Sequence, residues 1–374
     1  METTSWQMLT TENSGLSANY VTDIVEDGDG NLWFATYGGG LCRRSADGRD
    51  WQTCRAADGG LVNDYVGAVT VDKSGRVWAV CDARQVDDVE YTGGLCVLSP
   101  DGAWQTHERS AHADCIVALE ADCDGTLWCR MGSWVSGGSL AVTRCDGTRD
   151  GPDRFHADEW QAFDGATWTA YDGSRAALEA WYPRRPTLPA CTRLGWELEG
   201  DTVWFLEIVQ HPRPSLTVEI PGMPFPSFGM MGSVLKCYLT SYNGQEWKQF
   251  DLPEGFNHGE LAVDCRGHKW LSLRTLGDIV MGAGVARFDG EEWTVFDEDT
   301  GLPTRSVMAI STDSRGNVWL SDHVGGLSRW DSSNWIEFSA NQEERDHAPL
   351  GRALEDRQGR LWFRSKAGVV VYTP

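Results

Sequence analysis

The sequence predicts an all-β chain folded as a seven-bladed β-propeller, closed by an N-terminal strand that completes the last blade. Three observations predict it. A short unit, D-x-x-G-x-x-W, recurs along the chain; a second signal, a turn followed by Trp, recurs in register with it; and the last copy lacks a strand that the N-terminus can supply. Composition points the same way. The 374 residues include 42 glycines and 19 tryptophans, where average usage gives roughly 26 glycines. Excess Gly implies many turns, and excess Trp implies one large side chain placed again and again.

The unit begins at Asp27, Gly30 and Trp33 in EDGDGNLWFAT. It returns at Asp72, Gly75 and Trp78, at Asp122, Gly125 and Trp128, and at Asp264, Gly267 and Trp270. Asp313, Gly316 and Trp319, then Asp356, Gly359 and Trp362, complete the clear copies, and a degenerate copy, ELEGDTVWFLE, supplies Trp204. An alternating run such as Val21–Val25 reads as a strand. Asp and Gly then make a hairpin turn, because Gly tolerates positive φ and Asp bonds its own backbone. The returning strand, Leu32–Thr36, carries the large aromatic, and glycines lead into a third strand at Leu41–Arg43. A fourth strand starts with Trp51, Trp104, Trp168, Trp247, Trp293 or Trp335.

The C-terminus sets the closure. After Trp362 the chain has a third strand, Val369–Tyr372, and no fourth. Trp6–Leu9 precedes the first unit and fits the vacancy, which would close the ring and remove an exposed sheet edge. Stacked solenoids also repeat, but they need no strand restored from the opposite end. The unit differs from the sialidase Asp-box, where Asp and Gly are two apart rather than three. The turn Asp27–Gly28–Asp29–Gly30 is rich enough in carboxylate to suggest calcium, but a hairpin explains it without an ion and the other turns are poorer. The expected arrangement is one propeller over 1–374, with insertions at about 82–94, 145–192 and 207–235.

These residues resemble the two-component regulator propeller repeat. The segments GLSANYVTDIVEDGDGNLWFATYGGGLCR, GLVNDYVGAVTVDKSGRVW and GLPTRSVMAISTDSRGNVWLSDHVGGLSRWD follow its pattern: G-L-P/S-x-N/D-x-V, then D-x-x-G-x-x-W, then G-G-L. Units 1, 2, 6 and much of 7 match well, units 3 and 5 keep the core, and unit 4 keeps little. The resemblance implies a propeller and a binding role. In that family such propellers are usually extracellular or periplasmic sensor modules of hybrid histidine kinases, often recognising carbohydrate. This sequence contains no membrane helix, kinase core or DNA-binding domain, and the family offers no shared catalytic residue to carry over.

The formal charge of −23 repels phosphate backbones and anionic membranes, so nucleic acid and membrane are not expected partners. The charge serves solubility, or attracts a cationic ligand or basic protein patch. The 11 cysteines are odd in number and irregularly spaced, so they read neither as a disulfide framework nor as zinc ligands. METTSWQMLTT is no signal peptide and no window approaches 18 apolar residues. The expected location is cytoplasmic as given, or periplasmic or extracellular if a leader has been removed.

In a propeller the loops joining strands 2 and 3 share one face with the blade-to-blade connections. Here those loops are uneven. Unit 1 has Tyr37–Gly39; unit 2 has residues 82–94; unit 3 has 130–138; unit 4 runs from about Glu207 to Ser233; unit 5 has 274–283. Units 6 and 7 return to short loops, Asp322–Gly325 and Ser365–Ala367. Ideal blades need about 40–45 residues each, which leaves a surplus concentrated in units 2 to 5, and loops on a rigid scaffold are where binding is built. Candidate binding residues are Tyr37, Asp82, Arg130, Trp134, Glu207, His211, Arg213, Phe225, Phe228, Arg274, Asp322, His323 and Lys366. The unit 4 segment, with five prolines and a run of Met and Phe, either plugs the ring or docks a partner. A helix is expected at Ser174–Trp181, and the third strand of unit 3 fits either Ser139–Arg144 or Glu159–Phe163.

Nucleophile, zinc-protease and phosphate-loop motifs are absent, and the eight histidines form no metal-ligand pair. No cofactor is expected. The sequence therefore reads as a non-catalytic ligand-sensing or protein-interaction propeller, binding on the face with the long loops of blades 2 to 5. Its partner is a small molecule, carbohydrate among the candidates, or a protein. The alternative is a lyase or hydrolase acting on a carbohydrate or similar small molecule, with its site at the channel mouth and two titratable groups within hydrogen-bond reach.

Overall fold

Seven four-stranded antiparallel sheets form the blades of the propeller. The computed structural model describes residues 5–374 except 87–88, 108–115, 122–124, 132, 135–139, 142–159, 172–174, 185–195, 213–232, 254–255, 258–259, 276–281, 323–325, 339–349 and 366. Blade 1 comprises Val21–Glu26, Leu32–Thr36, Gly40–Arg44 and Trp51–Cys54, and blade 2 Val66–Val71, Val77–Cys81, Gly94–Leu98 and Trp104–His107. Blade 3 comprises Ile116–Ala121, Leu127–Met131, Trp160–Phe163 and Trp168–Tyr171. Blade 4 comprises Trp196–Glu199, Thr202–Pro212, Ser233–Tyr242 and Trp247–Asp251. In blade 5 the first strand is in two pieces, Phe256–Asn257 and Leu261–Val263, followed by Lys269–Thr275, Gly282–Phe288 and Trp293–Phe296. Blade 6 comprises Val307–Thr312, Val318–Asp322, Leu327–Trp330 and Trp335–Phe338.

Blade 7 takes Leu350–Glu355, Leu361–Ser365 and Gly368–Thr373 from the C-terminus and Ser5–Leu9 from the N-terminus. The closing strand runs antiparallel from Ser5 opposite Thr373 to Leu9 opposite Val369. It brings Trp6 to 4.6 Å from the ring of Tyr372 and 5.3 Å from Phe338. This strand therefore places an aromatic where the other fourth strands do.

The recurring Asp does more than turn the chain. In blade 6 one Asp313 oxygen accepts the backbone N–H groups of Arg315 and Asn317, and the other accepts the indole N–H of Trp319 at 2.9 Å. The same carboxylate–indole bond joins Asp27 to Trp33, Asp72 to Trp78, Asp264 to Trp270 and Asp356 to Trp362, at 2.8–2.9 Å. Blade 4 has no Asp at the matching place. Its tighter turn puts Glu199 five residues before Trp204, and the longer side chain still reaches the indole at 2.9 Å. The sixth and seventh blades extend the pattern sideways. Arg315 donates to the Gly359 carbonyl of the next turn, and Arg357 donates to the Asp27 and Gly28 carbonyls beyond that.

The clamp matters because both partners are buried: Trp319 is 1% exposed and Asp313 4%. A buried indole N–H or turn amide without an acceptor loses its desolvation energy with no return. Asp27 and Asp264 feel burial, which raises their pKa values, but the indole and turn hydrogen bonds outweigh it and hold both carboxyls below the usual range. Glycine is required where blades touch. A Cβ on Gly60 would sit 2.7 Å from the Trp104 ring, and one on Gly15 would overlap Trp51. This explains the glycine of the first two G-L pairs, whereas Gly301 is needed for its positive φ of 89°; the leucines of all three, Leu16, Leu61 and Leu302, are buried.

Several sequence expectations change in detail. The third strand of blade 3 is Trp160–Phe163, so the second of the two options holds, while Leu140–Ala141 pairs with Ser133–Trp134 as a small hairpin. The span 145–192 is therefore not one insertion, because it contains the third and fourth strands of blade 3. The unit 4 loop does not begin at Glu207: the hairpin stays paired out to Pro212 opposite Ser233, because alternating residues on both arms continue the ladder. The expected helix forms at Arg175–Trp181. All seven cysteines among the described residues are free thiols.

Replacing Asp313 by Ala is expected to destabilise the protein by about 1–3 kcal/mol for each buried donor left without an acceptor. Asp313→Asn, which keeps an acceptor, should cost less. Equilibrium urea unfolding of both variants checks this; equal midpoints for Asp313→Ala and the wild type would show that the clamp carries no weight.

Candidate functional site

The loop face carries a row of four tyrosines across blades 1 and 2. Tyr20 immediately precedes the first strand of blade 1, and Tyr37 immediately follows its second strand. Tyr65 precedes the first strand of blade 2, and Tyr91 ends the small hairpin, Arg84–Val86 with Val89–Tyr91, inserted after its second strand. Successive ring centroids lie 5.4, 5.2 and 5.1 Å apart, all edge-to-face. This is the arrangement that aromatic quadrupoles favour. Tyr20 is 48% exposed, and the other three are half-buried.

Backbone bonds hold the row in place. The Tyr37 amide donates to the Tyr20 carbonyl at 2.9 Å, and Gly38 and Gly40 both donate to the Asp64 carbonyl. Tyr37 and Tyr65 bridge antiparallel across the blade boundary. Asn63 is the organiser. Its side-chain oxygen accepts the Tyr65 amide at 2.8 Å, and its NH₂ donates to the carbonyls of Asp82 and Thr92 at 2.9 and 2.7 Å. Asn63, one residue before the N/D-x-V element of this repeat, thus fixes the root of the blade 2 hairpin and one ring of the row. Beside it, Asp64 pairs with Arg55 at 3.4 Å and accepts the Ala56 amide.

A second cluster crosses the hub. Arg352, from the first strand of blade 7, donates to Glu197 of blade 4 and at 3.1 Å to Glu260 of blade 5, and also to the Leu261 carbonyl. Blade 7 neighbours blades 6 and 1, so these bonds span the central channel rather than a blade boundary. The first strand of blade 7 makes them possible. Its register slips between Leu350 and Leu354, and Gly351 adopts a positive φ of 71°, a bulge of the kind that re-aims a side chain. Exposure grades through the cluster, from 5% at the Glu197 side chain through 17% at Arg352 to 39% at Glu260. Burial pushes the Glu197 carboxyl up to about 7 even though the Arg352 charge and hydrogen bond pull it down, and the nearby Glu260 charge adds to the rise.

The sequence-derived candidates separate by place. Tyr37 lies in the tyrosine row, and Asp82 stands at its root, its amide donating to the Tyr65 carbonyl at 2.9 Å. Glu207 was expected just after its strand but lies inside it. There it receives two hydrogen bonds from Arg175 and one each from Thr240 and Gln249, so it fastens the helix Arg175–Trp181 to blade 4. Burial raises its pKa, and those bonds outweigh burial and hold it below the usual range. Asp322 is not at an open mouth: it is buried at the end of Val318–Asp322, where its carboxylate accepts the Gly326 amide at 2.7 Å and closes its own turn. Arg130, His211 and Arg274 fall within strands and Trp134 within the small blade 3 hairpin, so Arg130 and Arg274 too are strand residues rather than loop residues. Arg213, Phe225, Phe228, His323 and Lys366 lie outside the described residues. Sequence reasoning missed Tyr20, Tyr65 and Tyr91. A signal for two of them was present, since N-Y-V and D-Y-V place Tyr20 and Tyr65 at the same position of the repeat.

Among the described residues no group of three or more His, Cys, Asp or Glu could hold a metal ion, and no helix is long and apolar enough to cross a membrane. The molecule is a seven-bladed β-propeller with a row of tyrosines on its loop face. The family model described as two component regulator propeller matches residues 15–38, consistent with the resemblance in the sequence. A search of curated protein sequences finds no match. Among solved structures the chain is similar to virginiamycin B lyase from Staphylococcus aureus, at 13% identity, covering 100% of each chain with a TM-score of 0.53. It is similar to YCF48 bound to D1 peptide, at 10% identity over 100% of this chain and 97% of that one, TM-score 0.54. It is also similar to the GH74 xyloglucanase from Xanthomonas campestris, at 14% identity over 98% of this chain and 53% of that one, TM-score 0.50. At these identities the likeness establishes the fold and nothing finer.

The hub makes a pH prediction with a definite sign. Glu197 keeps its proton to about pH 7 in the folded ring but loses it near 4.5 once unfolded. The folded state binds more protons across that window, so this group's contribution to stability falls as pH rises through it. Glu197→Gln should flatten that fall, read as urea midpoints at pH 5 and pH 8; an unchanged pH slope would refute the assignment. Arg352→Met at pH 8 leaves a buried carboxylate without its counter-charge and should cost about 3–5 kcal/mol, and less at pH 5.

Proposed function

We propose that this protein is a non-catalytic recognition propeller whose ligand lies along the tyrosine row of blades 1 and 2. The observation that supports this reading is the row itself: four successive aromatic rings, supplied by four different loop positions and fixed by backbone bonds, lying partly open on the face where propeller loops vary. Tyrosine offers a rigid apolar ring with a hydroxyl at its tip, and so binds with little loss of side-chain freedom. The partner class is a small molecule, saccharides included, or a segment of another protein. Sensing by such a module fits the resemblance to two-component regulator propellers. The fold alone does not choose, since its relatives include a lyase, a xyloglucanase and a peptide-bound propeller.

The hydrolase or lyase alternative has one observation in its favour, the raised Glu197 carboxyl near a second carboxylate. Both are engaged by Arg352, and the group with the shifted pKa has the least access to solvent. We therefore assign that cluster to bracing the ring.

The test is a parallel glycan and peptide array with the wild type, Tyr20→Ala, Tyr91→Ala and Glu260→Gln. Specific hits should weaken at least tenfold in both tyrosine variants, hold in Glu260→Gln, and be recovered chemically intact by mass spectrometry. Hits that are converted to product by the wild type but not by Glu260→Gln would replace this reading with the enzymatic one.

A further inference from the structure

Resting on that reading, we infer that the ligand of the tyrosine row is a basic, proline-rich peptide segment held in an extended polyproline II conformation. Shape, surface chemistry and charge carry the inference. The site is a succession of rings running from blade 1 into blade 2, each in contact with the next, which suits an elongated ligand. Edge-to-face packing at 66–78° alternates rings that present a face with rings that present an edge. Rows of fixed aromatic rings are a surface on which proline rings pack. A polyproline II helix brings its residues round every third position and is already extended before it binds, so little ordering entropy is lost.

Charge selects the flanks. The chain carries a formal charge of −23. Asp64 and Asp82 flank Tyr65 in the described structure, and Asp58 is exposed nearby in sequence. Such a field steers a cationic partner in and opposes an acidic one. A guanidinium can also stack on the open ring of Tyr20, an interaction of cation–π type. The row sits on rigid elements: Asn63 ties the Tyr65 amide and the Asp82 and Thr92 carbonyls together, so the surface is formed before a ligand arrives.

The experiment uses the full chain and fluorescence anisotropy. The probe is a labelled twelve-residue peptide (about four polyproline II turns) with prolines at P-x-x-P spacing and two flanking arginines. Comparison probes are the same peptide with alanine for proline, the same peptide with glutamate for arginine, and a labelled linear oligosaccharide. The expected result is saturable binding of the first probe that weakens as salt rises. Each peptide change should weaken it at least tenfold, as should Tyr20→Ala and Tyr91→Ala, with both variants keeping the wild-type urea midpoint. Asn63→Ala should lower affinity by releasing the row even though it removes no ring. No binding of the proline-rich probe, or equal binding of the glutamate version, overturns the inference. Tyrosine-dependent binding of the oligosaccharide alone overturns it while leaving the recognition reading intact; peptide binding indifferent to both tyrosines overturns both.

Discussion

The bond between a buried carboxylate and an indole N–H six residues later is the interaction on which the rest of this propeller depends. It solves two problems at once. The first hairpin of every blade leaves turn amides that must find acceptors, and the second strand carries a Trp whose ring is wanted in the core but whose N–H is not. One Asp satisfies both, as Asp313 does for the amides of Arg315 and Asn317 and the indole of Trp319. With its polar atom satisfied, the Trp fills the space between adjacent blades. Trp270 reaches Trp330 and Trp335 of blade 6 at 6.5 and 6.3 Å, and Trp319 reaches Phe363 and the closing Trp6 of blade 7. Blade packing and ring closure follow from this local arrangement.

Because the clamps sit at the turns between strands 1 and 2, the opposite face is free to vary. Blade 6 spends Asp322 on closing its own short turn, whereas blade 4 runs its hairpin out to Pro212 and binds a helix through Glu207 and Arg175. Blade 1 keeps a short loop, blade 2 inserts the hairpin Arg84–Val86 with Val89–Tyr91, and both place tyrosines on this face. Across the hub, Arg352 ties blade 7 to blades 4 and 5 by way of two carboxylates. A buried ion pair is weak evidence for added stability, but it fixes which residues occupy the channel. The bulge at Gly351 gives it a local cause in the backbone.

Much of the scaffold was legible in the sequence, because its signals are local. The spacing of Asp, Gly and Trp set each first hairpin, Trp began each fourth strand, and the missing last strand pointed to residues 6–9. The degenerate unit was legible as a unit but not in its chemistry: ELEGDTVW hides a Glu that replaces Asp across a turn one residue shorter. The candidate site was less legible. Tyr37 was visible as a loop residue, but its neighbours in space are 17, 28 and 54 positions away, at Tyr20, Tyr65 and Tyr91. Arg352, Glu197 and Glu260 come from three blades, and no spacing rule connects residues that meet only when a ring closes. Loop boundaries were placed too early at Arg130, Glu207 and Arg274 because strand residues in these blades continue past the core with polar side chains.

The most direct measurement of the central claim concerns Glu199. If the turn residue were chosen only for hairpin propensity, Glu199→Asp would restore the repeat's own residue and leave the protein as stable or more so. If the carboxylate must reach the indole of Trp204 across the shorter turn, removing one methylene breaks the bond and leaves a buried N–H without an acceptor, at a cost of about 1–3 kcal/mol. Urea unfolding of Glu199→Asp beside the wild type separates the two. A lowered midpoint is predicted by the carboxylate–indole clamp, and an unchanged or raised midpoint contradicts it.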